Sequence, residues 1–480
     1  MSNEGKRPPL LDGGRTPFLG HALEMKRDPV GMLARGRVKH GDIFRIKLPG
    51  ADTVVMSGLK AHEAYFKMPD DVASQREVYQ FMVPIFGKGI AYDATPEVMK
   101  EQMGFFFPAL REARLRTYSA AQIEEAEMYF DKWENEGVVD LYEVGNELTI
   151  YSSSRCLLGQ DFRKHLSKEF ADVYQALEGG LTLLAFLWPY LPTPAHRRRD
   201  RGRARMAELI GKIVDERLAN GSNEEDMLQS LMESKYADGR ALTKDEITGL
   251  LLAIVFAGHH TSGTTFSWNQ ILLHQNPKYL ARVLEEQDRV LENRDRVNID
   301  DVRKMTLLER SIKETLRMYP PIIMVMRRVM KDFVYDGFDV PAGSMAMVSP
   351  AMSHRIGSIF KDPDLYDPDR YSPGREEDKQ SPLAHIAFGG GRHRCLGSVF
   401  ASLQLVAVSS VLLRRFELEL VEEKYEQDYR RILVAPRQPC RVRFKRRKSP
   451  MVAVPGNFTS IPPEAAAPLP AAAMLKPAEG

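Results

Sequence analysis

The chain has 480 residues, several times the length at which a polypeptide can bury a self-sufficient core. Hydrophobic residues make up 43% and charged residues 28%, which excludes a disordered, collagen-like or disulfide-scaffold protein. The 67 Lys and Arg residues nearly balance the 65 Asp and Glu residues, so nucleic acid is not an expected partner. A large soluble enzyme is the class that remains.

The cysteines and the apolar stretches indicate the compartment. Cys156, Cys395 and Cys440 are an odd set spread widely along the chain, which favours a reducing environment. The N-terminus lacks the apolar region of a secretory signal. The longest apolar stretches, 181–191 and 250–258, are shorter than the ~18 residues of a spanning helix. We therefore expect a soluble, cytoplasmic protein without a membrane anchor.

The predicted elements begin with two paired strands, 43–48 and 53–56, around the turn Pro49-Gly50. From about 97 to 320 the apolar period is mostly helical. Within this region, Thr243-Lys-Asp-Glu246 is typical of a capping box and precedes an apolar run that persists to Asn276-Pro277. This pattern predicts one helix long enough to cross a whole domain.

The helical period gives way after residue 320 to short strands and irregular chain. Strand fragments are predicted at 333–335 and 345–348, followed by a helix at about 396–415 and short strands that end near residue 444. The predicted fold class is therefore mainly α with a small β region.

The last 32 residues, 449–480, differ in composition from the rest of the chain. Seven are Pro and eight are Ala, so they offer little apolar surface to offset the entropy of ordering. We divide the chain into a domain over 1–448 and this tail. Two readings of the tail stay open, a disordered end or a spacer that leads to an electron-carrier module.

A glycine-rich loop, F-G-G-G-R-H-R-C-L-G over 388–397, contains Cys395. Three consecutive glycines let a backbone pass close to a flat or bulky group. The predicted helix that follows and the three basic residues beside the cysteine favour a thiolate. With no second Cys or His pair nearby, the thiolate does not fit a structural zinc site, but it fits the axial ligand of a haem iron. For Cys156 and Cys440 a buried, inert thiol is the preferred reading.

This loop resembles the haem-binding segment of the cytochrome P-450 superfamily, and a second motif agrees. Glu314-Thr-Leu-Arg317 resembles the E-x-x-R pair of that superfamily, and it is followed by Tyr-Pro-Pro. At i and i+3 the two side chains share one helix face. The resemblance implies a buried ionic cluster with a later arginine, here Arg370.

The long capped helix carries a third motif, A-G-H-H-T over 257–261. Most relatives have an acid before the threonine, and His260 takes its place here. A histidine also passes protons near neutral pH, so His260 and Thr261 are the predicted catalytic residues. The motif resembles that of the sterol 14α-demethylases, and the roof loop over 79–94 resembles the same family.

The resemblance spans roughly residues 10–445 and implies further site residues. Cys395 would ligate the iron. The residues expected to hold the haem are Tyr79, Lys100, Arg327, His393 and Gly391. The residues expected to contact substrate are Tyr79, Phe81, Met82, Phe86, Ala257, His260, Ile322, Met324, Val325, Ile432 and Leu433.

What the resemblance implies is a haem-thiolate monooxygenase that removes the 14α-methyl group of a lanosterol-type sterol. Three oxidations that depend on O2 would release the carbon as formate. The expected cofactor is haem b, with electrons from NAD(P)H through a ferredoxin or flavodoxin and its reductase. This carrier would dock near Arg392 and Arg394 and could be fused through the tail. Azole-type inhibitors are expected to ligate the iron.

Two other functions stay open at this point. One is a monooxygenase that hydroxylates another hydrophobic substrate, such as a fatty acid, terpene or steroid. The other is a haem-binding sensor without catalysis, in which Thr261 would have no role. The basic run over 197–205 is read as a solvated helix face.

Overall fold

The computed structural model describes residues 6–164, 168–222, 224–292, 294 and 296–448, without the side chains of residues 160–171 and Leu183. The tail over 449–480 lies outside the described residues. The chain forms two compact units. The first unit comprises the described residues within 6–74, 130–145 and 261–448, and the second comprises those within 75–129 and 146–260.

The structure is mainly helical, as predicted. The α-helices up to residue 220 are α1 Ala22–Arg27, α2 Pro29–His40, α3 Leu59–Lys67, α4 Val83–Phe86, α5 Pro96–Gly104, α6 Glu112–Asp131, α7 Leu141–Lys164, α8 Lys168–Glu178, α9 Leu183–Leu187 and α10 Pro194–Asn220. The α-helices after it are α11 Met227–Glu233, α12 Lys244–Gln275, α13 Pro277–Leu291, α14 Ile299–Lys304, α15 Thr306–Met318, α16 Pro350–Ser353 and α17 Ser398–Arg415. Short 3-10 turns occupy Gln80–Met82, Ala91–Asp93, Pro108–Leu110, Pro368–Tyr371, Glu377–Gln380 and Gly391–His393.

The strands are short and belong mostly to the first unit. They are β1 Ile43–Leu48, β2 Ala51–Met56, β3 Ala73–Ser74, β4 Glu136–Asp140, β5 Val325–Val329, β6 Phe333–Tyr335, β7 Phe338–Val340, β8 Met345–Val348, β9 Phe416–Leu420, β10 Gln427–Asp428, β11 Ala435–Pro436 and β12 Arg441–Arg446. The largest sheet has the strand order β1-β2-β8-β5-β3.

The predicted pair of strands forms the edge of that sheet. β1 pairs antiparallel with β2, with Ile43 opposite Met56, around the turn at Pro49-Gly50. One face of this pair packs into the core of the first unit, where Phe44 and Ile46 are fully buried. The prediction of two paired strands around this turn is confirmed.

Strands β3, β4, β5 and β7 were not predicted, and β4 was missed because it lies in a region of helical period. β4 pairs with β12, which in turn pairs with β9, in a separate sheet of three strands. Gly137 of β4 lies against the ring of Phe444, where an added Cβ would come within 2.8 Å of ring carbons. The pairing partner is about 300 residues away, so the local pattern gives no signal of it.

Helix α12 begins and ends as its sequence predicts. The Glu246 amide donates to Thr243 Oγ at 3.2 Å, and the Glu246 carboxylate accepts from the Thr243 amide at 2.8 Å. These two bonds form the predicted capping box. The helix runs for 32 residues to Gln275, about 48 Å at ~1.5 Å per residue, and ends before Asn276-Pro277.

Helix α17 is the one described helix with the length and composition to span a membrane. Two thirds of it, 67%, is buried inside the protein. It begins at Ser398, two residues later than predicted, and its apolar residues belong to the core.

Candidate functional site

A buried ionic cluster surrounds Glu314 on α15, in the first unit. Its carboxylate accepts two hydrogen bonds of 2.8 Å from Arg317, one turn away on the same helix. Arg370 Nε lies 3.0 Å from both carboxylate oxygens, and the Tyr371 hydroxyl donates at 3.0 Å. Burial alone would raise the pKa of Glu314, but the two guanidinium groups hold it below its usual value. The structure thus brings together the three residues of the expected cluster.

The glycines of the cysteine loop allow close packing against α3. Gly391 has a φ of +60°, and an added Cβ would lie 2.3 Å from the carbonyl oxygen of Phe66. A Cβ on Gly390 would lie 2.4 Å from Leu383. The Cys395 amide donates to the carbonyl of Phe388 at 2.9 Å and closes the loop. No other residue type fits these two positions without displacing backbone or side chains.

The three cysteines differ in exposure, and this difference singles out Cys395. Cys156 and Cys440 are buried, whereas Cys395 is exposed. Desolvation by the loop raises the pKa of Cys395, and the Gly397 amide and Arg394 oppose this in part. The amide and the basic side chain beside Cys395 thus lower its pKa, as the sequence predicts, while desolvation acts in the opposite direction.

Two basic side chains, Arg327 and His393, lie in the same unit as the cysteine loop. Arg327 is fully buried and donates to the carbonyls of Tyr65, at 3.2 Å, and Met68, at 2.9 Å. His393 Nε2 lies 2.7 Å from Asp70 Oδ1. Desolvation lowers the pKa of His393, although Asp70 raises it in part. Asp70 was missed, since 323 residues separate it from its partner.

An aromatic cluster occupies the predicted roof loop in the second unit. Tyr79 stacks on Tyr92 with ring centroids 4.6 Å apart and planes inclined by 17°. Phe81 stacks on Phe186 at 4.0 Å. These ring contacts join the short helical turns of the loop and present flat apolar surface.

The roof loop continues into close contact with α12. Phe86 meets Phe256 edge to face with centroids 6.1 Å apart. An added Cβ on Gly249 would lie 2.0 Å from the carbonyl oxygen of Phe86, so this position requires glycine. Phe256 directly precedes Ala257, whose side chain is exposed, while Met82 is partly buried.

The two histidines of α12 share one acidic partner in the second unit. His260 Nε2 contacts Glu178 Oε1, and His259 Nδ1 lies 3.5 Å from the same oxygen. Burial alone would raise the pKa of Glu178, but hydrogen bonds to His259 and His260 lower it to about 2. Burial lowers the pKa of His259, so that this ring is neutral at pH 7. Glu178 was missed because it lies on α8, 82 residues before His260.

Thr261 is the next residue of the helix and belongs to the first unit. It is partly buried, and its carbonyl accepts a 2.7 Å hydrogen bond from Thr265 Oγ. The backbone of Thr261 is held by the helical hydrogen bonds of α12.

The other residues predicted to contact substrate or haem lie in several different environments. Ile322 is 41% exposed and Ile432 is 42% exposed. Met324 packs beside two core clusters, and Val325 accepts a hydrogen bond at its carbonyl from the Tyr65 hydroxyl. Leu433 is partly buried, and Lys100 is exposed on α5. No described contact brings these residues into one group.

Comparison with known proteins identifies the relatives of the chain. It is 42% identical to a sterol 14-demethylase of Arabidopsis thaliana over 93% of each chain. It is 38% identical to a sterol 14alpha-demethylase of Mycobacterium tuberculosis, over 92% of this chain and 98% of that protein. A lanosterol 14-alpha demethylase of Bos taurus is 34% identical, over 92% of this chain and 90% of that protein.

The fold is also that of a solved structure. The retinoic acid-bound cyanobacterial CYP120A1 superposes with a TM-score of 0.81, over 92% of this chain and all of that one, at 24% identity. The sequence profile of the cytochrome P450 family matches residues 8–444. The chain therefore belongs to the cytochrome P450 family.

Proposed function

We propose that the protein is a sterol 14α-demethylase that acts on a lanosterol-type sterol. The observation that carries this proposal is the set of sterol demethylase relatives, 34–42% identical over more than nine tenths of the chain. The A-G-H-H-T segment of α12 supports it, because His260 stands where most of the family has an acid. The reaction is three O2-dependent oxidations that release the methyl carbon as formate.

The residues of the first unit fit haem b. Cys395 is an exposed residue whereas the other two cysteines are buried, so Cys395 is the proposed axial ligand. Arg327, His393 and the backbone at Gly391 are proposed to hold the haem, with cations matched to its carboxylates. When bound, haem supplies the activation of O2 with electrons that derive from NAD(P)H.

Two further residues complete the set proposed to hold the haem. Tyr79 and Lys100 offer a phenol and an ammonium group, which suit carboxylate oxygens. Tyr79 is held by its stack on Tyr92, and Lys100 is exposed at the surface of α5.

The proposed proton route uses the polar end of the A-G-H-H-T segment. His260 exchanges a proton at Nε2, where it contacts Glu178. Thr261 offers a hydroxyl that both accepts and donates, which is what a relay requires. The backbone of α12 keeps these two neighbours at a constant separation.

The sterol is proposed to contact the apolar residues that the family resemblance implies. These are Phe81, Met82, Phe86, Ala257, Ile322, Met324, Val325, Ile432 and Leu433. The partial exposure of Ile322 and Ile432 leaves apolar surface available for a ligand.

The electron carrier is proposed to be a small acidic ferredoxin, or a flavodoxin, which receives its electrons from a reductase. Arg392 is half-exposed and donates to Asp70 at 3.4 Å, which leaves cationic surface beside the cysteine loop. Charge complementarity would steer an acidic carrier to Arg392 and Arg394. We place the protein in the cytoplasm, where reduced carriers are available.

The first experiment tests the axial ligand and the reaction together. Cys395→His should lose the long-wavelength ferrous–carbonyl band that thiolate ligation produces, while Cys440→Ser, the matched control, should keep it. The wild-type enzyme with lanosterol, a ferredoxin and its reductase should release formate and a Δ14 sterol. A retained band in Cys395→His contradicts the assignment of the axial ligand, and hydroxylation without formate contradicts the sterol reaction.

An azole should shift the haem spectrum of the wild-type enzyme, because an azole nitrogen would ligate the iron.

A second experiment concerns residues 449–480, for which we propose the two alternatives that their composition leaves open: a disordered end, or a spacer (a tether) that leads to an electron carrier. Fusion of a ferredoxin after Gly480 should make turnover independent of added ferredoxin, because tethering gives an effective concentration of about millimolar. Removal of residues 449–480 should leave the haem spectrum and the Tm unchanged. A large loss of Tm on removal, or no gain on fusion, contradicts the tether.

A further inference from the structure

Asn146 on α7 determines which nitrogen of each histidine carries its proton. Its backbone carbonyl lies 3.0 Å from His259 Nε2, and its side-chain Oδ1 lies 3.3 Å from His260 Nδ1. A carbonyl oxygen only accepts hydrogen bonds, so both of these nitrogens carry N–H. In the neutral rings, the lone pairs therefore lie on His259 Nδ1 and His260 Nε2.

Both of these nitrogens lie close to Glu178 Oε1. His260 Nε2 contacts this oxygen, and His259 Nδ1 is 3.5 Å from it. The three atoms all lie within 4.8 Å of one another. Three electron-rich atoms at such separations repel one another unless they share a positive charge.

A proton and a metal ion differ in how many of these three atoms they contact. A proton on His260 Nε2 bonds to Glu178 and leaves His259 Nδ1 turned toward the Tyr174 hydroxyl, 3.2 Å away. A divalent cation satisfies all three atoms at once. Two ligands at ~2.0–2.1 Å from a tetrahedral zinc ion lie roughly 3.4 Å apart, close to the distance observed between His259 and Glu178.

We propose that His259, His260 and Glu178 form a binding site for a divalent transition-metal ion, with Zn²⁺ as the best match. Two imidazoles and one carboxylate are a ligand set that zinc accepts, with a fourth position for water. Asn146 is the supporting partner that fixes both ring tautomers, as is usual for histidine ligands of metals. Glu178 and His260 are partly exposed, which gives an ion access.

The consequence for catalysis rests on the proposed function. An ion on His260 Nε2 occupies the atom to which we assign proton exchange, and it holds Glu178 as well. Bound zinc is therefore an inhibitor of turnover that does not compete for the haem iron. A trace metal would then regulate the enzyme through His260, the residue of the A-G-H-H-T segment that stands where most of the family has an acid.

The test is titration of the ferric holoenzyme with ZnCl2, followed by calorimetry and zinc X-ray absorption. We expect one ion per chain, bound by nitrogen and oxygen alone at ~2.0–2.1 Å, with two imidazoles in the spectrum. Glu178→Gln and His260→Gln should each weaken binding at least about tenfold, and Asn146→Ala about tenfold. Glu147→Gln is the matched control, because Glu147 follows Asn146 in the chain but accepts a hydrogen bond from the Tyr129 hydroxyl. This variant should bind zinc as the wild type does.

The outcomes separate this proposal from the proposed function. Absence of binding at ~100 μM zinc, or binding unchanged in Glu178→Gln and His260→Gln, overturns the metal site and leaves a proton as the shared charge. A Zn–S distance near ~2.3 Å would place the ion on a cysteine and also overturn it. Zinc binding as expected in a protein that does not demethylate sterols would contradict the function alone. In an active enzyme, zinc should lower product formation at least tenfold, and excess chelator should restore it.

Discussion

Glu314 carries a negative charge in a place that excludes water completely. Its side chain and those of Arg317 and Arg370 have no exposed surface. Arg317 also donates to the carbonyls of His354, Pro363 and Leu365, so its guanidinium is bonded on several sides. Such a group is stable only while all partners are present, because removal of one leaves a buried charge uncompensated.

We therefore expect Glu314→Gln to lower the free energy of unfolding by about 3–5 kcal/mol. Glu309→Gln is the matched control, since Glu309 is exposed on the same helix, and it should change stability by less than about 0.5 kcal/mol. Urea unfolding of the two holoenzymes, followed by far-UV circular dichroism, measures the difference. Equal stability of the two variants would show that the cluster does not hold the fold.

Thr261 has a different role, because its hydroxyl is assigned to proton movement after the sterol has bound. Thr261→Ala should change the sterol dissociation constant less than about twofold, yet release more peroxide per electron consumed. Thr248→Ala removes a hydroxyl that bonds to the Lys244 carbonyl at 2.8 Å on the same helix, and it should keep normal coupling. Peroxide and NAD(P)H assays in parallel test this. Unchanged coupling in Thr261→Ala would assign the proton route to other groups.

At the scale of elements, glycines decide how closely helices approach. Gly145 of α7 faces α12 within the first unit, where an added Cβ would lie 2.6 Å from the Gly263 carbonyl oxygen. The two helices are therefore in contact through backbone atoms. Gly211 of α10 is also inside a helix, but an added Cβ there meets nothing within 4 Å.

These two glycines predict opposite effects of the same substitution. Gly145→Ala should destabilise by about 1–3 kcal/mol, because the helices must move apart. Gly211→Ala should stabilise by up to about 1 kcal/mol, because alanine loses less backbone entropy in a helix. Thermal unfolding of both holoenzymes checks the signs. A stabilised Gly145→Ala variant would contradict the close helix contact.

At the scale of the whole molecule, buried histidines link stability to pH. His354 has no exposed surface, and its Nε2 accepts a 2.8 Å hydrogen bond from the Ile386 amide. Burial, assisted by His385 and Arg317, holds the pKa of His354 well below its usual value. Burial likewise lowers the pKa of His62. Both rings are therefore neutral in the folded chain at a pH at which they become charged in the unfolded chain.

The unfolded state thus binds more protons below pH 6.5, and stability should fall as pH decreases from 6.5 toward 5. Each such histidine contributes up to about 1.4 kcal/mol per pH unit. His354→Gln should lower stability at pH 7 and also reduce this slope by about one proton. Urea unfolding at several pH values gives both quantities. A slope equal to that of the wild type would show that His354 titrates normally in the folded protein.

The sequence by itself determined the features that depend on neighbours along the chain. The capping box at Thr243 and Glu246, the pair Glu314 and Arg317, the turn at Pro49-Gly50 and the glycine loop before Cys395 are all encoded within ten residues. Helix and strand geometry convert such spacings directly into shared faces and caps. Mainly α architecture, the family and its haem chemistry followed from these local patterns.

Only the tertiary structure decided the partners that lie far apart in sequence. Glu178 beside His260, Asp70 beside His393 and β12 beside β4 each join segments separated by 82 residues or more. The raised pKa of Cys395 belongs here too, since desolvation depends on everything packed around the thiol. Local spacing carries no signal of such pairs, because which groups meet, and how much water they lose, is set by packing of the whole chain.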